Sequence, residues 1–250
     1  MKSARMSKKV PVQILENTSR SRLQSRYDRM WSESIGYLRS GTVEIDPVLA
    51  ASRPDRRRGL TVIARPSVEV RTRVAAFLRE LRGLEPHQYY YALSEFHVTV
   101  LSMFTATIDH DRFFAGVAEY QAAADSVLRR VAPIRIEFSG VTASPSAIMI
   151  QGYCHNGYLN EVRDELRQEL RNRDLTEGLD ARYRLETAHM TVMRFRAPLQ
   201  NSGNFAAALE QARGRKFGAS TIAAMTLVKN DWYMSRRTLE PVKRYSLATV

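Results

Sequence analysis

Cysteine is nearly absent from this chain, which has only Cys154 among its 250 residues. A single cysteine excludes an intrachain disulfide and a zinc site built from four cysteines. It also fits a reducing compartment, so we expect a cytoplasmic protein. We expect Cys154 to be a buried structural residue rather than a nucleophile, because neighbouring side chains point apart and His155 therefore cannot activate it.

Long apolar runs are also absent. No stretch approaches the roughly 20 apolar residues of a membrane span, so we expect no membrane association. Residues 1–10, MKSARMSKKV, lack the apolar segment of a secretory signal. Residues 1–30 are rich in Ser and Arg, as transit peptides are, but Glu16 and Asp28 count against that interpretation. With 44% hydrophobic and 26% charged residues, the composition is that of a globular protein with a substantial core.

Acidic residues are outnumbered by basic ones, 26 against 38, which gives a net charge of +12. Half of this charge falls within residues 1–30, and the other half is spread over the rest of the chain. An excess of positive charge favours anionic partners. We predict that residues 1–25 form a basic, flexible arm that contacts nucleic acid non-specifically, or else one that is merely solvated.

Apolar periodicity divides the remainder into helices and strands. Residues 26–58 form a predicted helical extension, and residues 59–250 form the main domain. Helices are predicted over 27–38, 67–83, 111–131, 157–173 and 204–214, and strands over 60–64, 134–141, 147–153, 221–230 and 243–249, with two more around His97 and His189.

Two short runs share one pattern: FHVTVLSMF at 96–104 and AHMTVMRFR at 188–196. Side chains two residues apart in a strand share a face. His97 and Thr99 therefore project to one side of the first strand, and His189 and Thr191 to one side of the second. Each run offers an imidazole and a hydroxyl on one face, with apolar residues on the other.

The two runs lie at matching places in a repeated unit. Each unit reads strand, helix, His-x-Thr strand, helix, which suggests lobes at about 59–132 and 133–250, with strands able to cross between them. Duplicated units commonly pack about a pseudo-twofold axis, which would bring the two histidine faces together across a central cleft. The alternative is that each His is a half-buried residue and each Thr a good strand former, which is less expected for two matched runs.

The motifs HVTV at 97–100 and HMTV at 189–192 resemble the signature of the 2H phosphoesterase superfamily, which includes bacterial 2′–5′ RNA ligase-like proteins and cyclic nucleotide phosphodiesterases. The resemblance covers roughly residues 58–250 and includes a closing hairpin around NDWYMSRRTLEPVK. It implies an α+β fold with two lobes of antiparallel sheet around a cleft and helices outside. It also implies that His97 and His189 are catalytic and that Thr99 and Thr191 bind the substrate.

Two histidines suit phosphodiester hydrolysis, because one can activate water while the other protonates the leaving ribose oxygen. The threonine hydroxyls can donate to the nonbridging oxygens. We therefore expect a monomeric phosphodiesterase, without metal or cofactor, acting on a 2′,3′-cyclic or 2′–5′-linked ribonucleotide or RNA end. The alternatives are RNA ligation by the reverse reaction and an RNA-binding protein with vestigial hydrolysis.

Other residues carry weaker signals. Aromatic side chains could stack on a base but are more often core: Tyr89, Tyr90, Tyr91, Phe104, Trp232 and Tyr233. Strand alternation places Arg194 and Arg196 on the face opposite His189, so both stay outside the predicted site unless a bulge intervenes. His87, His110 and His155 have no matched partner, and Arg56–Arg58 reads as a solvated loop.

Overall fold

The computed structural model describes residues 12–248, except the side chains of 12–19 and of His155. Its helices are α1 (Val12–Ser40), α2 (Pro47–Ala50), α3 (Val68–Leu84), α4 (Asp111–Phe114), α5 (Val117–Leu128), α6 (Tyr158–Asn172) and α7 (Ser202–Gln211). Its strands are β1 (Arg58–Ala64), β2 (Tyr89–Tyr90), β3 (Val98–Thr107), β4 (Ile134–Ser144), β5 (Ala147–Cys154), β6 (Met190–Arg194), β7 (Lys216–Ile222), β8 (Ala224–Asn230) and β9 (Glu240–Ser246).

The strands form two antiparallel sheets. The first sheet has the order β3-β1-β8-β9, and the second has the order β2-β6-β5-β4-β7. In each sheet the opening strand of the repeat pairs directly with the strand that follows the histidine, β1 with β3 and β5 with β6. The α+β fold predicted from the sequence is confirmed.

Strands of the two sequence halves are exchanged between the sheets. β8 and β9, from the end of the chain, complete the sheet of β1 and β3, while β2 joins the sheet of β5 and β6. The hairpin expected around NDWYMSRRTLEPVK is the antiparallel pair β8–β9. The division into lobes at residue 132 stays a prediction.

Helices pack against the sheets through their apolar faces. In α3 the buried residues recur at helical spacing, Val70, Val74, Phe77, Leu78 and Leu81, and the hydroxyl of Ser67 caps the first turn. Phe77 packs edge-on against Phe217 of β7, with ring centroids 5.7 Å apart. This contact joins α3 to the second sheet.

The first helix is much longer than predicted. The periodicity indicated a helix over 27–38, but α1 runs from Val12 to Ser40 and packs along the second sheet. Leu23 is buried, and Arg20 forms an ion pair with Glu137 of β4. Helix α1 therefore includes residues 12–25 of the predicted arm, and from Arg20 onwards contacts with the sheet stabilise a segment whose own pattern is polar. Residues 1–11 of that arm lie outside the described residues.

Two other predicted elements are each divided in two. The helix expected over 111–131 is broken at Gly116, between α4 and α5. The strand expected over 221–230 is β7 followed by β8, with a break at Ala223, and the two parts belong to different sheets. Within residues 12–248, no helix has both the length and the apolarity needed to cross a membrane.

Candidate active site

The first histidine stands immediately before β3. His97 is only 9% exposed, and its Nδ1 lies 2.7 Å from the backbone oxygen of Glu95. A carbonyl oxygen can only accept a hydrogen bond, so Nδ1 must carry the proton. In the neutral ring Nε2 is then left with a free lone pair, which is the form of a general base.

The second histidine stands immediately before β6 and has a different partner. His189 is half-buried, and its Nδ1 lies 2.7 Å from the hydroxyl of Thr187. A hydroxyl can donate or accept, so this contact permits either tautomer of the ring. The two histidines are thus held in similar ways but not by equivalent groups.

The threonines follow the predicted alternation. Thr99 and Thr191 are half-buried, whereas their neighbours in β3 and β6 are buried against the core: Val98, Val100, Met190 and Val192. The apolar neighbours anchor each strand, and the hydroxyls remain on the accessible side.

All four motif residues line one cavity of about 160 Å³. Further lining residues come from several parts of the chain: Tyr91, Leu101, Ser102, Thr105, Ala106, Asp180, Arg182, Tyr183, Leu185, Arg194, Asn230, Trp232 and Met234. The structure therefore brings together His97, Thr99, His189 and Thr191 from opposite sheets.

The environment of the cavity keeps both imidazoles neutral. Burial lowers the pKa of His97 from 6.5 to about 4, an effect that the hydrogen bond to Glu95 partly opposes. Burial also lowers the pKa of His189 from 6.5 to about 4, with further lowering by the positive charge of Arg163 and by His97. Because both rings line one cavity, they share one electrostatic environment.

Arg163 of α6 is a residue that sequence reasoning missed. Its side chain is fully buried, and its Nε donates to the Val100 oxygen at 2.8 Å. Its Nη2 donates to the oxygen of Thr99 at 2.8 Å and to that of Thr187 at 2.9 Å. The guanidinium thus joins the first motif strand to the residue that holds His189. A sequence signal existed, because Arg163 lies on the apolar face of α6 with Leu159 and Leu166.

Arg194 also lies in the cavity, contrary to the sequence-based expectation. Met149 pairs with Thr191 but Ile148 pairs with Met193, so Val192 is an extra residue in β6. Such a bulge shifts the alternation by one residue and turns Arg194 to the side of Thr191. Its Nε donates to the Tyr91 hydroxyl at 2.9 Å. Arg196 lies outside the cavity, and its backbone N–H donates to Gln88.

Among the candidate aromatic residues, only Tyr91 and Trp232 line the cavity. Phe104 is fully buried and stacks on Phe113, while the Tyr90 hydroxyl donates to the Glu85 oxygen. Tyr233 is buried and its hydroxyl donates to Asp46. Tyr89 packs on Tyr91 and Tyr233 outside the lining.

The remaining predictions concern residues away from the motifs. His87 and His110 lie outside the cavity, and Cys154 is buried, which raises the pKa of its thiol. The solvated-loop interpretation of Arg56–Arg58 is wrong for Arg57, which forms a bidentate contact with Asp55 and lies 4.4 Å from the Trp232 ring centroid. In the described part of the chain, no three His, Cys, Asp or Glu residues cluster as metal ligands.

Known proteins resemble the chain in sequence and in fold. A family profile, that of the 2'-5' RNA ligase superfamily, matches residues 70–232, which include both motifs. No curated protein matches the chain. Among solved structures, the protein of unknown function ATU0111 from Agrobacterium tumefaciens str. C58 superposes with a TM-score of 0.60 at 11% identity, covering 83% of this chain and 97% of its own.

Two further structures share the fold. TT0787 of Thermus thermophilus has a TM-score of 0.55 at 16% identity and covers 76% of this chain and 97% of its own. E. coli LigT complexed with 3'-AMP has a TM-score of 0.52 at 13% identity and covers 78% of this chain and 100% of its own. The profile match, which spans more than half of the chain, confirms the resemblance drawn from the two motifs: the chain belongs to the 2'-5' RNA ligase superfamily, within the 2H phosphoesterases.

Proposed function

We propose that the protein is a metal-independent phosphodiesterase that hydrolyses a 2′,3′-cyclic or 2′–5′-linked ribonucleotide, or an RNA end of this kind. One observation carries the proposal: His97, Thr99, His189 and Thr191 line a single cavity although they come from different sheets. Both imidazoles can therefore reach one phosphate.

The chemistry assigns a role to each type of group. One imidazole takes a proton from the attacking water, and the other gives a proton to the departing ribose oxygen, on the opposite side of the phosphorus. The hydroxyls of Thr99 and Thr191 donate to the nonbridging oxygens, where negative charge develops. The Arg194 guanidinium, which shares the cavity, supplies further positive charge to the phosphate.

The protonation states also fit an anionic substrate. Both histidines are neutral in the free protein at pH 7, because burial lowers their pKa values to about 4. A phosphate between them favours the protonated form of an adjacent imidazole. Binding of substrate would therefore help to load the proton that the general acid needs.

A nucleotide substrate has support from a relative of the same fold. LigT of E. coli was crystallised with 3'-AMP, and its structure covers 78% of this chain. The family description also keeps 2′–5′ ligation open. In that reaction a 5′-hydroxyl replaces water as the nucleophile: it attacks a 2′,3′-cyclic phosphate, the bond to the 3′ oxygen breaks, and a 2′–5′ linkage remains. Ligation requires that two RNA ends be held together, whereas hydrolysis requires only water.

The test is a screen of the purified protein in the presence of a chelator. Substrates are 2′,3′-cyclic mononucleotides, 2′–5′ dinucleotides and RNAs with cyclic-phosphate ends, and the products show whether bonds are cleaved or joined. His97→Ala and His189→Ala should abolish most turnover, while His87→Ala, an exposed histidine outside the cavity, should leave it intact. Turnover that the chelator abolishes and a divalent ion restores would overturn the metal-independent scheme.

A further inference from the structure

The cavity that holds the motif residues is small for a nucleotide. Its volume is about 160 Å³, whereas pockets that enclose a small-molecule ligand usually measure roughly 300–1,000 Å³. A nucleotide whose phosphate reaches His97 and His189 must therefore extend to the mouth of the cavity. The residues at that mouth decide what kind of substrate fits.

The mouth presents a guanidinium that no carboxylate neutralises. Arg182 is exposed and lies over Trp232, with its Cζ 4.6 Å from the ring centroid. Among the side chains that the structure describes, no Asp or Glu forms an ion pair with it. By contrast, Arg57, which also lies over Trp232, is paired with Asp55. The N–H groups of Arg182 are thus free to bind an anion.

The segment that carries Arg182 is held in place at both ends. Arg167 of α6, which is only 2% exposed, donates to the Asp180 carboxylate at 2.6 and 3.1 Å and to the Leu185 oxygen at 3.2 Å. Thr105 of β3 donates from its backbone and its hydroxyl to the Gly178 oxygen. Because these contacts order the segment beforehand, an anion bound by Arg182 does not have to organise it.

Arg182 is also close to the inner part of the site. The Cζ of Arg194 lies 6.0 Å from the same Trp232 ring centroid, so both guanidinium groups lie next to one indole. Arg194 stands deeper, beside Thr191, and Arg182 stands at the opening with the exposed ring of Tyr183. A cation next to an exposed aromatic ring is the combination that binds the phosphate and base of a nucleic-acid strand.

We propose that Arg182, positioned over Trp232 by the segment Asp180–Leu185, binds a second phosphate of the substrate, outside the one that reacts. This rests on the proposed function, and it narrows the substrate class to nucleotides or RNA ends that carry at least two phosphates. The second phosphate is either a 5′-phosphate on the same nucleotide or the phosphodiester to the next nucleotide.

Binding of product-type ligands tests the proposal without requiring turnover. Calorimetry compares a nucleoside 3′-monophosphate, the 3′,5′-bisphosphate and a dinucleotide that ends in a 3′-phosphate, each with the full chain. The ligands with a second phosphate should bind roughly tenfold more tightly, as a charge-assisted contact at an exposed site would provide. Tighter binding of the bisphosphate identifies a 5′-phosphate as the second phosphate, and tighter binding of the dinucleotide identifies the phosphodiester. Equal affinity for all three would overturn the proposal.

Variants of the two neighbouring arginines provide the matched comparison. Arg182→Gln should abolish the preference for the second phosphate, so that the three ligands bind with about equal affinity. Arg184→Gln removes the same charge two residues away, but Arg184 is paired with Asp164, so the preference should persist. Arg182→Lys keeps the charge without the planar guanidinium, and it should retain part of the preference for the second phosphate. A preference that survives in Arg182→Gln, or falls equally in Arg184→Gln, would show that general charge rather than this site is responsible.

Failure of the Arg182 subsite can be distinguished from failure of the proposed hydrolytic function. If the wild-type chain cleaves no phosphodiester in the screen but still prefers the second phosphate, the hydrolytic function fails and the subsite stands. If it cleaves cyclic mononucleotides as efficiently as substrates with two phosphates and shows no binding preference, the function stands and the subsite fails.

Discussion

Two imidazoles with different partners face the same cavity, and this difference matters at the scale of the single residue. The Nδ1 of His97 is fixed by a carbonyl, which stabilises a proton there, while the Nδ1 of His189 meets a hydroxyl and the ring lies near the Arg163 charge. The proposed hydrolysis nevertheless needs both groups, since it requires a base and an acid at once.

His97→Ala and His189→Ala should each lower kcat by roughly 10²–10⁴-fold, because each removes a general acid or base. The double variant should be little worse than the poorer single one, since groups that act as a unit are strongly non-additive. Steady-state kinetics on the substrate found in the screen measures this, with His87→Ala as the control. Full activity after loss of either histidine would mean that the motif residues have only a structural role in their strands.

The pH dependence of the reaction should be shifted to acid. Catalysis needs one protonated and one neutral imidazole, and in the free protein burial lowers both pKa values to about 4. The value of kcat/KM should therefore rise as the pH falls from 7 towards 5. Because the bound phosphate favours imidazolium, the kcat optimum should lie at higher pH than the kcat/KM optimum. If the pH profiles of kcat and kcat/KM coincide and have their optimum above pH 7, this account is contradicted.

The sequence predicted the four motif residues because alternation in a strand decides which side chains share a face. It failed at Arg194 for a physical reason, since one extra residue in β6 reverses the alternation and nothing in the run MTVMR marks the bulge. Arg182 was beyond sequence reasoning, because its place at the cavity depends on contacts that Arg167 makes with residues on both sides of it.

At the scale of the element, the site depends on how two strand edges are joined. β3 is an edge strand of the first sheet, and β6 pairs on its outer side with the two-residue strand β2. Arg163 donates to the carbonyls of Thr99, Val100 and Thr187, so one buried side chain connects the first motif strand to the segment just before the second.

Arg163→Met should therefore damage both stability and chemistry. The variant leaves three buried carbonyls without their donor, which should cost at least about 2 kcal/mol of unfolding free energy. It also removes a charge that lowers the pKa of His189, so that pKa should rise. Urea unfolding measures the first effect, and the kcat/KM profile of the folded variant measures the second. A destabilised variant with an unchanged profile would limit Arg163 to a structural role.

The first helix contacts β5, the strand that pairs with the second motif strand. The Tyr27 hydroxyl donates to the Gly152 oxygen at 2.9 Å and accepts from its N–H at 3.1 Å, at a point in β5 beyond its pairing with β6. A side chain at Gly152 would collide with the backbone oxygen of Ala188, next to His189. Tyr27 thus satisfies backbone groups that a neighbouring strand would otherwise bind.

Tyr27→Phe should lower the free energy of unfolding by about 1–3 kcal/mol, because a buried donor and acceptor lose their partner. Tyr37→Phe changes an exposed tyrosine of the same helix and should have almost no effect. Urea or thermal unfolding of the two variants beside the wild type provides the measurement. Equal stability of all three would mean that α1 does not support β5 through this contact.

Elements with strong periodicity were predictable, and elements that depend on partners were not. The apolar spacing of α3 and α6 placed them within one residue of their ends, whereas the polar first half of α1 gave no pattern to follow. Residues 221–230 were predicted as one strand, and only pairing with different strands reveals that β7 and β8 are separate.

At the scale of the whole molecule, the buried histidines link stability to pH. In the unfolded chain they take up protons as the pH falls through 6.5, while in the folded protein burial delays this to about pH 4. Protonation therefore favours the unfolded state between these values. The free energy of unfolding should decrease from pH 6.5 towards pH 4, by up to about 1.4 kcal/mol per pH unit for each histidine.

Urea unfolding at pH 7 and pH 5 measures this dependence. His97→Gln should lose less stability on acidification than the wild type, because one titrating group is gone. His87→Gln, at an exposed position, should lose as much as the wild type. An identical loss in all three proteins would attribute the acid sensitivity to other groups.

The exchange of strands between the sheets has a consequence for biosynthesis. β1 lies between β3 and β8, so the sheet that carries the first motif lacks its third strand until β8 has left the ribosome. Until then β1 presents an open edge, which is a template for aggregation. Pairing of such distant segments also makes folding slow. A nascent chain that stops short of β8 can therefore hold both histidines before the sheet that carries the first motif is complete.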